Sequence, residues 1–260
     1  MEKCMNTDTK TREEVVKQRY HLLDSIRGFL LILMIIYHTM YDISIFSRGE
    51  FSVLNTGGYI FQQFIGWSFI FLSGMCRTIG KRHVRRGLII LAGAALVSLV
   101  SYIFMPEMPI NFGILVFMGS ATLIMIPLEK YIKESYVLAG MLLSIFIFIL
   151  CKNVPYGNLG FEGIELMELP RFLYRNAATA YLGFPPMGFV SGDYYPLIPW
   201  FFLYLSGYFF WKYFGKKTQI QKGLFIKVPV LAFLGRHSLL VYLIHQPVCF
   251  ALVYFVCVML

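Results

Sequence analysis

Apolar residues in this chain come in blocks of fifteen to twenty-five, separated by short polar or proline-containing stretches. They lie at about 22–46, 58–79, 88–104, 112–128, 137–151, 196–214 and 237–260. Strands show a two-residue alternation, and helices of soluble domains show one apolar face with a polar back. These blocks show neither. They are apolar all round, as a helix in hydrocarbon must be, and most approach the roughly 20 residues that cross about 30 Å of bilayer core. The pattern predicts an all-α, polytopic integral membrane bundle of about seven transmembrane helices. The two main interruptions are a polar tail over 1–21 and a stretch at 152–195 broken by Pro155, Pro170, Pro185 and Pro186. A membrane domain over 22–260 with one sizeable outer loop accounts for the whole chain, with no separate soluble domain. The tail lacks the apolar core and cleavage site of a signal peptide. Pro247 should kink the last helix by removing a backbone donor.

Composition agrees. The chain is 58% hydrophobic and 14% charged, against about 25% charged in soluble domains. A net charge of +9 suggests nucleic acid until its distribution is considered. Of 23 Lys and Arg, nineteen fall in 1–27, 77–86, 130–133 and 212–236, and four (Arg48, Lys152, Arg171, Arg175) on the other side of a seven-span topology. Such asymmetry is an orientation signal; it excludes a nucleic-acid reading and predicts a cytoplasmic N-terminus. The five cysteines have no paired or metal-binding spacing, so they are read as packing residues.

The first block breaks its own pattern. Asp24, Arg27, His38 and Asp42 all lie within it. Ionisable groups at membrane depth are costly and mark function. His38 lies about 16 Å along the axis from Arg27, and eleven residues at about 100° bring both to within roughly 20° of one face. Asp42, one turn further, shares that face. One stripe thus carries a cation at the membrane edge, an imidazole at depth and a carboxylate beyond. An imidazole can act as general base near neutral pH, and a carboxylate can orient it. The plainer alternatives are an interhelical hydrogen bond for His38, an interface anchor for Arg27, and pairing with Arg27 or helix capping for Asp24. Asp193, just before Pro196, reads equally as a helix cap. His245, beside Gln246 and Pro247, reads as a structural partner for freed carbonyls.

The wording LDSIRGFLLILMIIYH, together with FIFLSGMCR at 69–77, DYYPLIPW at 193–200 and GRHSLLVYLIHQPV at 235–248, resembles the membrane acyltransferases that acylate sugars across a bilayer. It is closest to bacterial relatives of the heparan-alpha-glucosaminide N-acetyltransferase family. The resemblance implies an acetyl-CoA-dependent enzyme of a bacterial plasma membrane. It would move an acetyl or short acyl group from cytosolic acyl-CoA to an external carbohydrate-type acceptor, with no metal. It makes His38 the catalytic residue, gives Arg27 to the acyl-donor side and, by putting DYYPLIPW in the core, sets Asp193 and Trp200 near the acceptor. Position along the chain adds Asp42 to the catalytic pair as the carboxylate that orients the ring, Arg82 and Arg86 to a cationic mouth for the acyl-CoA, and His245 behind the acceptor. Whether two copies pair as a homodimer stays open, as does direct transfer against an acyl-histidine. One departure is Val116 in FGILVFMG (112–119), where the family more often has Gln or His. The second class of reading is a small proton-coupled transporter with His38 and Asp42 as a relay; against it stands the absence of an internal repeat. A metal site at His38, Asp42 and His245 is a weak third reading, and a pure scaffold, which would not need intramembrane charge, is the weakest.

Overall fold

The structure, a computed structural model, describes residues 20–46, 52–215, 226 and 228–259. The polar tail, apart from its last residues, and the basic stretch 216–225 lie outside the described residues. Among the described residues, seven long helices match the seven apolar blocks: α1 His21–Phe46, α2 Thr56–Arg77, α3 His83–Phe104, α4 Ile114–Leu128, α5 Val137–Cys151, α7 Leu197–Phe214 and α9 Ser238–Tyr254. Between them lie a short α6 (Ala177–Leu182) and α8 (Pro229–Arg236), and a two-stranded antiparallel hairpin of β1 (Asn158–Phe161) and β2 (Ile164–Glu168). The seventh block ends early as a helix, passing into a π-turn at Phe255–Met259, and α9 runs through Pro247.

Five of the described segments are long and apolar enough to cross a membrane: those of α1, α3 and α9, with Ile114–Tyr131 and Glu134–Tyr156 around α4 and α5. α2 and α7 are the other two long helices. α2 carries Gln62, Gln63, Trp67 and Ser68, and α7 is rich in Tyr and Trp. Their neighbours explain this. α7 packs between α2 and α5, so its surface meets protein rather than lipid. A Cβ on Gly74 would collide with the Tyr204 carbonyl, and one on Gly207 with the Phe71 carbonyl. The two backbones touch through both glycines, as small residues permit in membrane bundles. Around this pair lies the main core of Ile70, Phe117, Met118, Met125, Trp200, Tyr204 and Phe209.

The lipid-side helices are less enclosed. α3 buries little beyond Gly87, Gly93, Ala94 and Ser101. α1 is flanked by α2, by α9 and, most intimately, by α8. There Gly28 lies under the Leu231 carbonyl and Gly235 under that of Asp24.

The stretch 152–195 is not a bare loop. Lys152, 5% exposed, pairs with Glu162 at 3.2 Å and lies 5.3 Å over the Trp200 ring. The Tyr59 hydroxyl donates to Glu162 at 2.6 Å, and the Asn153 amide donates to the carbonyls of Glu162 and Ile164 at 2.7 and 3.1 Å. These bonds pin the hairpin across the ends of α2, α5 and α7.

Candidate active site

The His38 and Asp42 part of the stripe on α1 faces α9, and this seam brings together two histidines far apart in sequence. The rings of His38 and His245 lie 4.9 Å apart between centroids, tilted by 60°. His245 Nδ1 is 2.6 Å from the Tyr242 carbonyl. A carbonyl only accepts, so Nδ1 carries a proton, and in the neutral ring Nε2 keeps its lone pair. Tyr37 and Tyr242 flank the pair, at 5.7 Å from His38 and 5.3 Å from His245.

Asp42 is 1% exposed, and its Oδ1 accepts from the Gln246 amide at 3.3 Å. Among the described residues it makes no hydrogen bond to His38. Its expected part in orienting that ring is therefore taken by nothing direct, and its partner comes from α9. Asp42 Oδ2, Gln246 Oε1 and His245 Nε2 are buried without a hydrogen-bond partner. Buried polar atoms normally find partners. Three orphans along two facing helix turns make this seam the least satisfied part of the described interior.

Asp193 caps a helix, but not its own. α7 starts from Pro196 as its N-cap. Asp193 Oδ2 instead accepts from the Ile114 backbone N–H at 2.9 Å, at the start of α4, and lies 3.5 Å from the Tyr242 hydroxyl. A Cβ on Gly113 would sit 2.7 Å from that oxygen. Burial pushes the Asp193 carboxyl up to about 6, against the pull of those two donors. Through Tyr242 it is joined to the turn of α9 that carries His245. Trp200 is elsewhere. It is buried against Phe148 and Tyr195, at 5.8 and 4.9 Å between centroids, under Lys152, and makes no described contact with the histidine pair.

At the other end of α1, Arg27 bridges three elements. Nη1 donates to Asp24 Oδ1 at 3.1 Å and to the Gly235 carbonyl at 3.3 Å, and Nη2 lies 3.0 Å from Cys76 Sγ. The pairing of Asp24 with Arg27 is thus present. Arg86 lies within electrostatic reach of Arg27, Arg77 and Cys76, and its guanidinium approaches Gly80. Arg82 is not part of this group. It is exposed, adopts φ 57°, gives α3 no side-chain cap, and lines a groove with Arg85 on the outer face of α3.

Sequence reasoning does not single out Arg77, which lies at the inner edge of this cationic group and is bonded to Glu129. Nor does it single out Tyr242. The spacing of Tyr242 and His245, three residues apart on one helix face, was the available signal for the second. Among the described residues, no three His, Cys, Asp or Glu side chains are grouped to hold a metal ion.

The arrangement puts a cationic group at one end of α1 and an imidazole pair further along it. Beyond them lies a set of acceptors. Comparison with curated proteins and with solved structures returned no match. A family model described as heparan-alpha-glucosaminide N-acetyltransferase, catalytic, matches residues 19–247. That range takes in every residue of the stripe, the α9 turn facing it and Asp193, and the chain belongs to this family.

Proposed function

We propose that this protein transfers an acetyl or short acyl group from cytosolic acyl-CoA to a sugar or amino-sugar acceptor on the outer side of the membrane. The observation that carries the reading is the placement of His38. It lies at depth on α1, its ring 4.9 Å from His245 and on one face with Arg27, about three turns away. That separation suits a donor whose charged nucleotide stays at the cytosolic end while its thioester reaches inward. The cation asymmetry supports a cytoplasmic Arg27 end.

Arg27 and Arg86 hold the nucleotide phosphates, where a planar guanidinium contacts two oxygens at once. His38 takes the proton from the acceptor nitrogen or oxygen as that atom attacks the thioester carbonyl. The new carbon–nitrogen or carbon–oxygen bond forms, the carbon–sulfur bond breaks, and the proton passes to the leaving thiolate. His245 lies against His38 with one nitrogen committed to Tyr242. Asp42 and Gln246 supply acceptors for donor groups of the incoming molecule, and Asp193 closes the site from the outer side.

The test is calorimetry with CoA, together with acetyl transfer to glucosamine, on wild type and His38→Ala. Both proteins should bind CoA, and the variant should lose about 10²–10⁴ in turnover, the usual contribution of a general base. A proton-coupled transporter, the competing use of a buried His and Asp, predicts no CoA binding by either protein and loss of proton-coupled flux in the variant. That result would overturn the proposal.

A further inference from the structure

The basic run at the start of α3 divides between two faces of one helix. Arg86 lies within electrostatic reach of Arg27 and Arg77. Arg82 and Arg85 stand at the head of a shallow, open apolar groove on the face of α3 itself, lined further along by Val84, Leu88, Ile89 and Ala92. The spacing 82, 85, 89, 92 is one face of a helix. It is the face that neither α4 nor α9 covers: Val84, Leu88 and Ile89 are 54, 55 and 48% exposed. α3 is among the helices apolar enough to cross a membrane, so hydrocarbon is the medium this face meets. The ten residues from Arg82 to Ala92 span about 15 Å, which matches much of one acyl chain.

We propose that this groove is a binding site for an anionic phospholipid. The phosphate is held by Arg82 and Arg85, and an acyl chain lies along Leu88, Ile89 and Ala92. Charge complementarity selects the occupant. Two guanidiniums at the head of an apolar groove match a phosphodiester joined to a hydrocarbon chain, and a neutral or zwitterionic lipid brings no net charge to offset them. A free nucleotide has no use for the apolar floor. The site is separate from the donor site proposed above, since its arginines line the groove on α3 and Arg86, which lies near Arg27, does not.

The experiment is native mass spectrometry of the full chain taken from nanodiscs of phosphatidylcholine with graded phosphatidylglycerol. Tightly held phosphatidylglycerol should be found on wild type. Arg82→Gln with Arg85→Gln should weaken it about thirtyfold, the scale of two basic side chains at a membrane surface. Lys130→Gln with Lys133→Gln removes the same charge from positions beside Glu129, at the same end of the bundle, and should leave binding unchanged. Ala92→Phe, which fills the groove and keeps both arginines, should also weaken it several-fold. Equal losses in the two double variants would reduce the effect to general surface charge and overturn the site. Displacement of the lipid by micromolar CoA would overturn it too, by giving these arginines to the nucleotide.

Discussion

Two buried polar clusters in this bundle are built on opposite terms. Arg77, 3% exposed, meets Glu129 through two bonds of 3.1 and 2.7 Å and gives its third nitrogen to the Thr122 carbonyl at 3.3 Å. The neighbouring Thr122 hydroxyl is satisfied by Met118. That cluster, which ties α2 to the end of α4, is closed. The seam between α1 and α9 is open, with a carboxylate oxygen, an amide oxygen and an imidazole nitrogen lacking partners. An unmet buried polar atom costs about 1–3 kcal/mol, so a fold keeps several together only where something offsets them. On the proposed function, the difference separates a polar group that holds helices together from one kept for a substrate.

This contrast makes opposite predictions for the two places. The largest effect belongs to the closed cluster. Glu129→Ala leaves the Arg77 charge buried and should lower stability by roughly 3–5 kcal/mol, read from chemical unfolding in detergent. Replacing the pair together, Arg77→Met with Glu129→Leu, should restore most of the loss. Failure of the double variant to recover would mean that the pair does more than hold helices. Asp42→Asn, in the open seam, should behave the other way. Stability should stay within about 1 kcal/mol of wild type, because an unpaired buried charge is removed, while acetyl transfer drops about tenfold or more, the scale of one lost charged contact. An Asp42→Asn protein that unfolds readily would erase the contrast.

Arg27 sits between the two types, since Asp24, Gly235 and Cys76 already occupy it. Arg27→Lys should keep the Asp24 pair but weaken CoA binding about tenfold, because an ammonium lacks the fork; titration calorimetry would show it. The smallest effect concerns Asp193. Its folded-state carboxyl is raised to about 6, above the ordinary value near 4, so the folded chain holds that proton more tightly than the unfolded one. Its contribution is full below about pH 4 and is lost as pH rises to about 6. Asp193→Asn should flatten that slope and leave the protein about 1–2 kcal/mol more stable at pH 7 than wild type, as melting curves across pH would reveal.

Seven long helices were legible because hydrocarbon demands a continuous apolar run, and α5 matches its block to the residue. The His38 stripe was legible for the same reason, since charge is conspicuous against such a background. What could not be read was pairing between distant segments. Asp193 lies three residues before Pro196 and looks like the cap of α7, yet it caps α4. Asp42 lies one turn from His38 and looks like its partner, yet it bonds across to Gln246. Arg82 and Arg86 are four apart in one basic run, but α3 turns them to different neighbours. The hairpin at 158–168 was not legible because its strands are only four and five residues long and rely on Lys152, Asn153 and Tyr59 rather than on an alternating pattern.

The position of α7 between α2 and α5 also bears on how the chain enters the membrane. Helices are offered to the bilayer one after another during synthesis, and each is retained according to its own apolarity. α2 and α7 fall outside the set apolar enough to cross by themselves. α2 emerges between α1 and α3, two strongly apolar neighbours, and can be carried in with them. α7 emerges after the long stretch 152–195 and has no such neighbour until α9. Its retention must draw on the surface that α2 and α5 already present, through Gly207 and Gly74. A bulky residue at Gly207 should therefore show first as a failure of α7 to integrate, seen as altered glycosylation of an engineered acceptor site after Phe214, before any loss of activity is measured.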